Sequence, residues 1–511
     1  MRRKLLSTSA AALALALALG GCTNAGTGVP EVSGTGSVSS QGGLTVTGSI
    51  EEDTHLDSDD FTWDSSAEIP VQLADGSSTA GTGVEVNGNT LTFRDGGTYR
   101  LSGTLTNGRL QVDAGDEVVR LVFDGVTVTS SDGSPFVVQS ANEAIVYLAE
   151  GTENELSDAA AYADASSDAP DAAIYSMADL TLGGLGSLTV NGSYNDAIVS
   201  KDGLAIAGGT LNVNAADDGI RGKDYVVMVD GSCRIQAAGD GVKSDNEEDE
   251  DRGWVLVSGG SLDVSSGDDA VKAHRLVTVT GGSVQVTDSY EGIEAAHIAV
   301  GGGDVSVVSS DDALNAAGDS TSGVEIGGMG GGPMEETAGD YSVVITGGNV
   351  TLDAGGDGLD SNGSASITGG TVVINGPEMP GNGALDVNGS LSVDGGILAA
   401  AGSAGMAMVP GESSAQSAVQ LTFNSPVPAG TTVQLADPEG ALVATFVTAK
   451  NTESLVYSSP EIQEGTTYTV YTGGTADVGA GVGTGTLDGA AKRGTAVGGQ
   501  YRSTAGPGTG R

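Results

Sequence analysis

An all-β chain, wound as a right-handed parallel β-helix and followed by a C-terminal antiparallel β segment, is predicted by three observations. First, a short phrase recurs: Gly-Gly-x, an aliphatic, x, another aliphatic, then an acid, a Gly or Ala, and an aliphatic. It reads Gly208-Gly209-Thr210-Leu211-Asn212-Val213…Asp218-Gly219-Ile220, then Gly259-Gly260-Ser261-Leu262-Asp263-Val264…Asp269-Ala270-Val271, then Gly281-Gly282-Ser283-Val284-Gln285-Val286…Glu291-Gly292-Ile293. Second, the copies start at 183, 208, 230, 259, 281, 301, 347, 369 and 395, most of them about 22 residues apart. A period this short means that each copy is one unit stacked on the next. Third, no sustained helical period appears anywhere in the 511 residues.

The N-terminus carries a processing signal. Met1-Arg2-Arg3-Lys4 is a basic n-region, Leu5 to Leu19 is apolar but short for a membrane span, and Leu19-Gly20-Gly21-Cys22 resembles a bacterial lipobox. Residues 1–21 are therefore expected to be a lipoprotein signal peptide. Cys22 is the expected lipidation site, and the mature protein is expected to be extracytoplasmic, anchored to the cell membrane only through that lipid. With Cys22 modified, Cys233 has no intramolecular disulfide partner and reads as a small buried residue on a strand.

Residues 22–83 are rich in Gly, Ser, Thr and acids and read as a flexible tether, with His55 and Trp63 as incidental members. From Val84 the pattern alternates and is β-branched, as in Leu91-Thr92-Phe93, Tyr99-Arg100-Leu101 and Val118 to Val128, so the parallel body is expected over 84–410. In each copy the Gly-Gly pair marks a corner where backbones stack closely or φ is positive, and the aliphatics point inward. Two long steps hold insertions, Asn246 to Asp251 and Gly327 to Met334. Residues 418–474 alternate around the turn Asp437-Pro438-Glu439-Gly440 and are expected to cap the open end of the stack; 475–511 reads as a flexible tail.

The net charge of −47, from 67 acids against 20 Lys plus Arg, argues against nucleic acid as a partner, because phosphate binding rests on cationic neutralisation. It favours cations, or ligands bridged by them. Aligned on the aliphatics, the copies place Asp196, Asp218, Asp240, Asp269, Glu291, Asp312 and Asp357 in one column, with Asn382 weakly continuing it; Asp217, Asp268 and Asp311 precede theirs directly and Asp245 follows Asp240. Stacked coils lie about 4.8 Å apart. Two carboxylates at that distance repel by roughly 3 kcal/mol at an effective dielectric near 20. Calcium, a hard cation taking six to eight oxygens, is accordingly expected at Asp217, Asp218, Asp240, Asp245, Asp268, Asp269, Glu291, Asp311 and Asp312. The competing reading is a series of individually solvated Asp-Gly turns.

The next column changes sign along the stack: Arg221, Lys243, Lys272, Glu294, Asn315, Asp360, Asp386. Lys and acids on neighbouring coils can neutralise each other. Alternatively Arg221, Lys223, Lys243 and Lys272, with Trp254 as the only Trp of the repeat region, line a groove for sugar carboxylates. His274 and His297 read as surface residues.

An ordered set of motifs then resembles a known family. They include Gly97-Thr98-Tyr99-Arg100-Leu101-Ser102-Gly103, Val122-Phe123-Asp124-Gly125-Val126, Asp179-Leu180-Thr181-Leu182-Gly183-Gly184, Asp217-Asp218-Gly219-Ile220-Arg221-Gly222-Lys223 and Glu464-Gly465-Thr466-Thr467-Tyr468-Thr469-Val470. Over roughly 84–474 the chain resembles secreted bacterial carbohydrate-binding β-helix proteins of pectate-lyase-like architecture. The resemblance implies bound calcium and affinity for polysaccharides such as cellulose or polygalacturonate. The expectation is a calcium-containing, monomeric cell-surface lipoprotein that binds polysaccharide, uronate-containing or cellulose-like, without turnover. The alternatives are a calcium-dependent lyase with Lys243 or Lys272 as base and a structural surface protein or adhesin.

Overall fold

The computed structural model describes residues 50–318 and 338–501. The signal peptide, Cys22, residues 22–49, the Gly327–Met334 insertion and the last ten residues of the chain lie outside them. The described chain is all-β apart from a turn of α-helix at Ile50–Asp53 and a 3₁₀ turn at Ser65–Ala67, and it is dominated by parallel pairing.

Three parallel ladders run side by side, each made by one strand of every repeat, so that equivalent residues of successive repeats are direct neighbours. One stacks Leu204, Val226, Val255, Val277, Ile298, Val343, Ala365 and Leu391. A second stacks Leu211, Cys233, Leu262, Val284, Val305, Val350, Val372 and Leu398. The third stacks Ile198, Ile220, Val242, Val271, Ile293, Leu314, Leu359 and Leu385. All of these side chains are buried in one continuous core. Cys233 is fully enclosed, and burial pushes its thiol up to about 12. The Gly-Gly corners meet both expected demands at once. Gly282 has φ +72°, and a Cβ on it would lie 2.7 Å from the Gly260 carbonyl of the coil before; one on Gly281 would lie 2.5 Å from the Ser258 carbonyl.

Both ends of the body extend beyond the expected limits. Ile69–Ala74 pairs in parallel with Gly97–Leu105 and antiparallel with Thr79–Ala80, so the stack begins inside the segment expected to be tether. Residues 50–68 also lie on the body. Ile50 and Leu56 are buried with Ala205, Ala207, Val227, Leu256, Leu276 and Ala299, which face outward from the first ladder, and Phe61 packs against this group. A few large apolar residues in a polar segment suffice because the sheet face beneath them is itself apolar.

At the other end, Thr452–Ser458 pairs antiparallel with both Ile397–Gly402 and Ala418–Val427, which ends the parallel ladder by reversing strand direction. A six-stranded antiparallel sheet follows. It includes Thr475–Gly479, Val482–Thr486 and Ala491–Val497, so the expected tail is structured up to Val497, held by ladder hydrogen bonds that its glycines do not prevent. Lys450 ties this region to the stack, 2.5 Å from Asp353 and donating to the carbonyls of Ala354 and Asn375.

Candidate functional site

The acids lie in two adjacent columns on the turns that enter the third ladder. In the inner column five carboxylates help to hold the stack together, because Oδ1 of each accepts the backbone N–H of the equivalent residue one coil on. Asp196 accepts from Asp218 at 3.1 Å, Asp218 from Asp240 at 2.9 Å, Asp240 from Asp269 at 3.1 Å and Asp312 from Asp357 at 2.6 Å. Asp357 accepts from Gly383, which therefore continues the column in place of Asn382. Glu291, longer by a methylene, instead accepts from Asn315 Nδ2 at 2.8 Å. The outer column, traced by its N–H to carbonyl bonds, runs Asn195, Asp217, Gly239, Asp268, Tyr290, Asp311, Gly356. Acids thus recur on every second coil, and a Gly or Tyr stands between.

The expected sign-changing column is also in register: Arg221, Lys243, Lys272, Glu294, Asn315, Asp360 and Asp386 are consecutive neighbours. Its three cations face the inner acids. Lys243 Nζ lies 2.7 Å from Asp240 Oδ2 and 3.1 Å from Asp218 Oδ2. Lys272 Nζ lies 2.7 Å from Asp269 and 2.5 Å from Glu294. Arg221 pairs closely with Asp245 and lies 3.8 Å from Asp196.

These contacts revise the expected carbohydrate groove. Arg221, Lys243 and Lys272 are internal counter-ions, each only partly exposed. Lys223 is half-buried, with Glu248 3.7 Å away. Trp254 is buried: its ring stacks on Tyr225 at 4.7 Å and its indole N–H donates to the Asp251 carbonyl, so neither face is open to a sugar. It lies on the first ladder, whereas the acids sit by the third. His297 is likewise buried, beside the Ser342 hydroxyl.

Six of the nine expected metal ligands fall into groups of three carboxylates whose candidate ligand oxygens lie within 4.8 Å of one another: Asp196, Asp217 and Asp218; Asp240, Asp268 and Asp269; Asp269, Glu291 and Glu294. Asp245 is taken by Arg221. Asp311 and Asp312 lie outside these groups, and both are half-buried. A Cβ on Gly356 would collide with the Oδ1 of both, and Gly239 stands in the same relation to Asp217 and Asp218. Each glycine lets its acid pair pack directly against the backbone of the next coil.

The two acid pairs differ in charge. Lys243 sits beside Asp217 and Asp218, while no Lys or Arg forms an ion pair with Glu291, Asp311, Asp312, Asp357 or Asp360 among the described residues. Residues 319–337, which lie outside the described residues, contain neither residue type in their sequence. Burial, reinforced by neighbouring carboxylates, pushes Glu291, Asp312 and Asp360 up to about 7 and Asp357 up to about 6. Asn315 Oδ1, in the same region, is buried without a hydrogen-bond partner. An all-oxygen set of carboxylates and an amide carbonyl, with uncompensated charge, fits a hard divalent cation. Tyr290 adds an aromatic ring, 49% exposed, between Asp268 and Asp311. Sequence reasoning considers it only as a partner for Trp254, although its place directly before Glu291 already puts it in the outer column.

A family model described as carbohydrate-binding domain-containing protein matches residues 87–335. A protein of that same description from Acetivibrio thermocellus is 38% identical over 136 residues, 26% of this chain and 48% of the relative, so the chain spans about half the length of the curated relative it matches. A solved structure of a polysaccharide lyase-like protein from C. thermocellum, a gadolinium derivative, is 32% identical, covering 48% of this chain and 96% of that one, with a TM-score of 0.43.

Proposed function

We propose that the stacked coils wind as a right-handed parallel β-helix that binds polysaccharide over its acid-bearing turns, without turnover, through calcium held between coils. The observation that carries this reading is the run of acids beyond Lys272, where cationic side chains cease in the neighbouring column and Glu291, Asp311, Asp312, Asp357 and Asp360 form no ion pair with Lys or Arg among the described residues. Glu291, Asp311, Asp312, Asp357 and Asp360 would hold the cations, with Asp217 and Asp218 under Gly239 as a second place. Bound calcium supplies the positive charge by which an acidic protein can hold a uronate-containing polymer. Tyr290 offers the one exposed ring of the outer column for sugar stacking. The similarity to proteins described as carbohydrate-binding supports the same partner.

A lyase needs a base that is neutral at working pH. Burial pulls Lys243 and Lys272 down, but their paired carboxylates outweigh it and hold both above the ordinary lysine range. That is the wrong direction for proton abstraction, and it favours binding over elimination. A monomer anchored through lipid on Cys22 at the outer face of a bacterial membrane remains the proposed setting.

The test combines calorimetric calcium titration with affinity electrophoresis in gels containing polygalacturonate or soluble cellulose derivatives, with calcium or chelator. Retention by polygalacturonate that requires calcium, weakened in Tyr290→Ala with calcium uptake unchanged, is the expected result. Release of ultraviolet-absorbing unsaturated product would replace binding by lyase activity. No calcium uptake and no retention would leave a structural surface protein.

A further inference from the structure

The described chain begins with a segment that none of the preceding chemistry uses. Residues 50–68 run across the outside of the first ladder, and His55 is inserted into it, with a side chain only 8% exposed. His55 Nδ1 lies 3.1 Å from Asp179 Oδ1 and 2.6 Å from the Tyr225 hydroxyl, and the His55 backbone N–H donates to that hydroxyl at 2.8 Å. His55 Nε2 lies 2.8 Å from Thr181 Oγ1, and Thr181 donates its hydroxyl hydrogen to Glu143 Oε1 at 2.6 Å.

Counting hydrogens along this chain of contacts gives one more proton than a neutral imidazole beside an ionised Glu143 can supply. Facing the Asp179 carboxylate, Nδ1 must donate. Thr181 has a single hydrogen; if Glu143 is ionised and takes it, Nε2 must donate as well, and His55 is a cation. If Glu143 is protonated instead, it donates to Thr181, whose hydrogen then turns to a neutral Nε2. Either way one proton is shared along His55–Thr181–Glu143. Without it, a neutral imidazole either turns an Nε2 lone pair to the Thr181 oxygen at 2.8 Å or, as the Nε2–H tautomer, turns an Nδ1 lone pair to the Asp179 carboxylate at 3.1 Å, where the Tyr225 hydroxyl is its one donor.

We propose that residues 50–68 form a proton-operated strap, closed while His55 and Glu143 share that proton and released when it is lost. The other charged groups around the latch act in the same sense. Asp179 and Asp60 add negative charge, with Asp57 and Asp59 at the segment's surface and Asp202 beside Asp179. Against them stand Arg120, which donates to the carbonyls of Asp59 and Asp60, and Arg252, which lies over the Tyr225 ring beside Asp224. Burial lowers the His55 pKa, but the Asp179 hydrogen bond and the Asp179, Glu143 and Asp60 charges leave it above its ordinary value; burial, with Asp60, pushes Glu143 up to about 7. Groups with folded pKa values above their free values bind protons more tightly when the strap is closed, so closure weakens as pH rises. Release uncovers Tyr225, Trp254, Leu256 and Leu276. It also frees the chain from Ile50 to Glu68, whose extended reach is on the order of 60 Å, between the body and whatever precedes it.

Both Trp residues of the chain report on this contact. Trp63 lies within the strap, edge-on to Tyr147 and beneath Arg120, and Trp254 lies under it. The experiment is hydrogen exchange of peptides spanning 50–68, corrected for intrinsic rates, with Trp emission, at pH 6 and pH 9, in saturating calcium and in chelator. Expected is at least tenfold faster exchange and a red-shifted emission at pH 9 under both conditions. In Glu143→Gln the amide can donate to Thr181 at any pH, so the strap stays closed at pH 9. His55→Ala opens it at both pH values while the buried ladders remain protected. Equal protection of the wild-type strap at the two pH values, release of Glu143→Gln at the wild-type pH, or a closed strap in His55→Ala each overturns the proposal.

Discussion

Replacing Lys243 by Met keeps the aliphatic stem and removes the charge that separates Asp218 from Asp240. The ammonium lies 2.7 and 3.1 Å from their carboxylates. At an effective dielectric near 20 these are gross attractions of about 5 to 6 kcal/mol each, largely offset by the ammonium's own desolvation. Removing one partner of a fully buried pair costs about 3–5 kcal/mol, whereas exposed pairs are worth under about 1 kcal/mol. With the Lys243 side chain 26% exposed and the Asp240 side chain 3%, about 3 kcal/mol is expected at pH 8 in chelator. At roughly 2.1 cal/mol/K of unfolding entropy per residue, that lowers the thermal midpoint of a body of this size by about 3 °C. The loss is pH-dependent. Burial already holds Asp240 up at about 6 with the lysine present, and without it the carboxyl rises further. At pH 5 the variant therefore carries a neutral Asp240, and the loss shrinks to about 1 kcal/mol, since a protonated carboxyl needs no counter-ion. Calcium at pH 8 should restore part of the midpoint by entering the vacated place between the two acids. Thermal melts followed by circular dichroism at pH 5 and pH 8, with chelator and with calcium, provide the assay. Equal losses at both pH values in chelator would refute the claim that Lys243 acts by neutralising the ladder.

Three further outcomes follow from the same contacts. Asp357→Asn with Asp360→Asn should weaken calcium binding at least tenfold by calorimetry. In chelator at pH 8 it should raise the melting midpoint, because both acids have folded pKa values above the free value and so cost stability as pH rises toward 7. Gly282→Ala, at φ +72° and with its Cβ 2.7 Å from the Gly260 carbonyl, should cost about 1–3 kcal/mol, read as a lowered melting midpoint. Lys450→Met should loosen the C-terminal sheet without unfolding the stack, seen as faster exchange in 418–497 alone, since Lys450 holds Asp353 and the carbonyls of Ala354 and Asn375.

What is readable in the sequence is what repeats. A column of Asp or Val at fixed spacing is a contact list once parallel stacking is assumed, and the pairing of Arg221, Lys243, Lys272, Glu294, Asn315, Asp360 and Asp386 follows it residue by residue. Contacts outside the repeat are not readable in this way. Ile50, Leu56, Phe61 and Trp63 look like stray apolar residues in an acidic tether, because the face that receives them is built from residues such as Ala205, Val227 and Leu276 that alternate with the core positions. The strands after Thr475 are hidden by glycines, which weaken strand propensity but leave the backbone donors intact. Trp254 misleads for a third reason. Aromatic content suggests sugar binding only when a face is free, and stacking on the Tyr225 of the preceding coil uses that face.

The ladder's two oxygens explain why one column can serve both fold and site. Oδ1 of Asp196, Asp218, Asp240 and Asp312 accepts the amide of the next coil, which the side-chain oxygen of Asn would do equally well. Coil stacking alone therefore does not require a charge. The charge resides as much on Oδ2, and along the chain it is answered in two ways. From Asp218 to Asp269 Lys243 and Lys272 of the neighbouring column answer it. Beyond Lys272 that column turns to Glu294, Asn315 and Asp360, and no Lys or Arg pairs with the acids among the described residues. Burial raises the carboxyl pKa values in both stretches, Asp196 and Asp269 to about 7 like Glu291, Asp312 and Asp360. A purely structural ladder would gain stability from Asn at 312 and 357, or from Lys at 294. Retaining acids there, with glycine above Asp311 and Asp312, costs stability in the absence of a cation and recovers it in the presence of one. Calcium-dependent stability is therefore expected to be largest in the coils between Glu291 and Asp386, and exchange measured coil by coil with and without calcium should show the greater gain in protection there and a smaller one around Asp217 and Asp218.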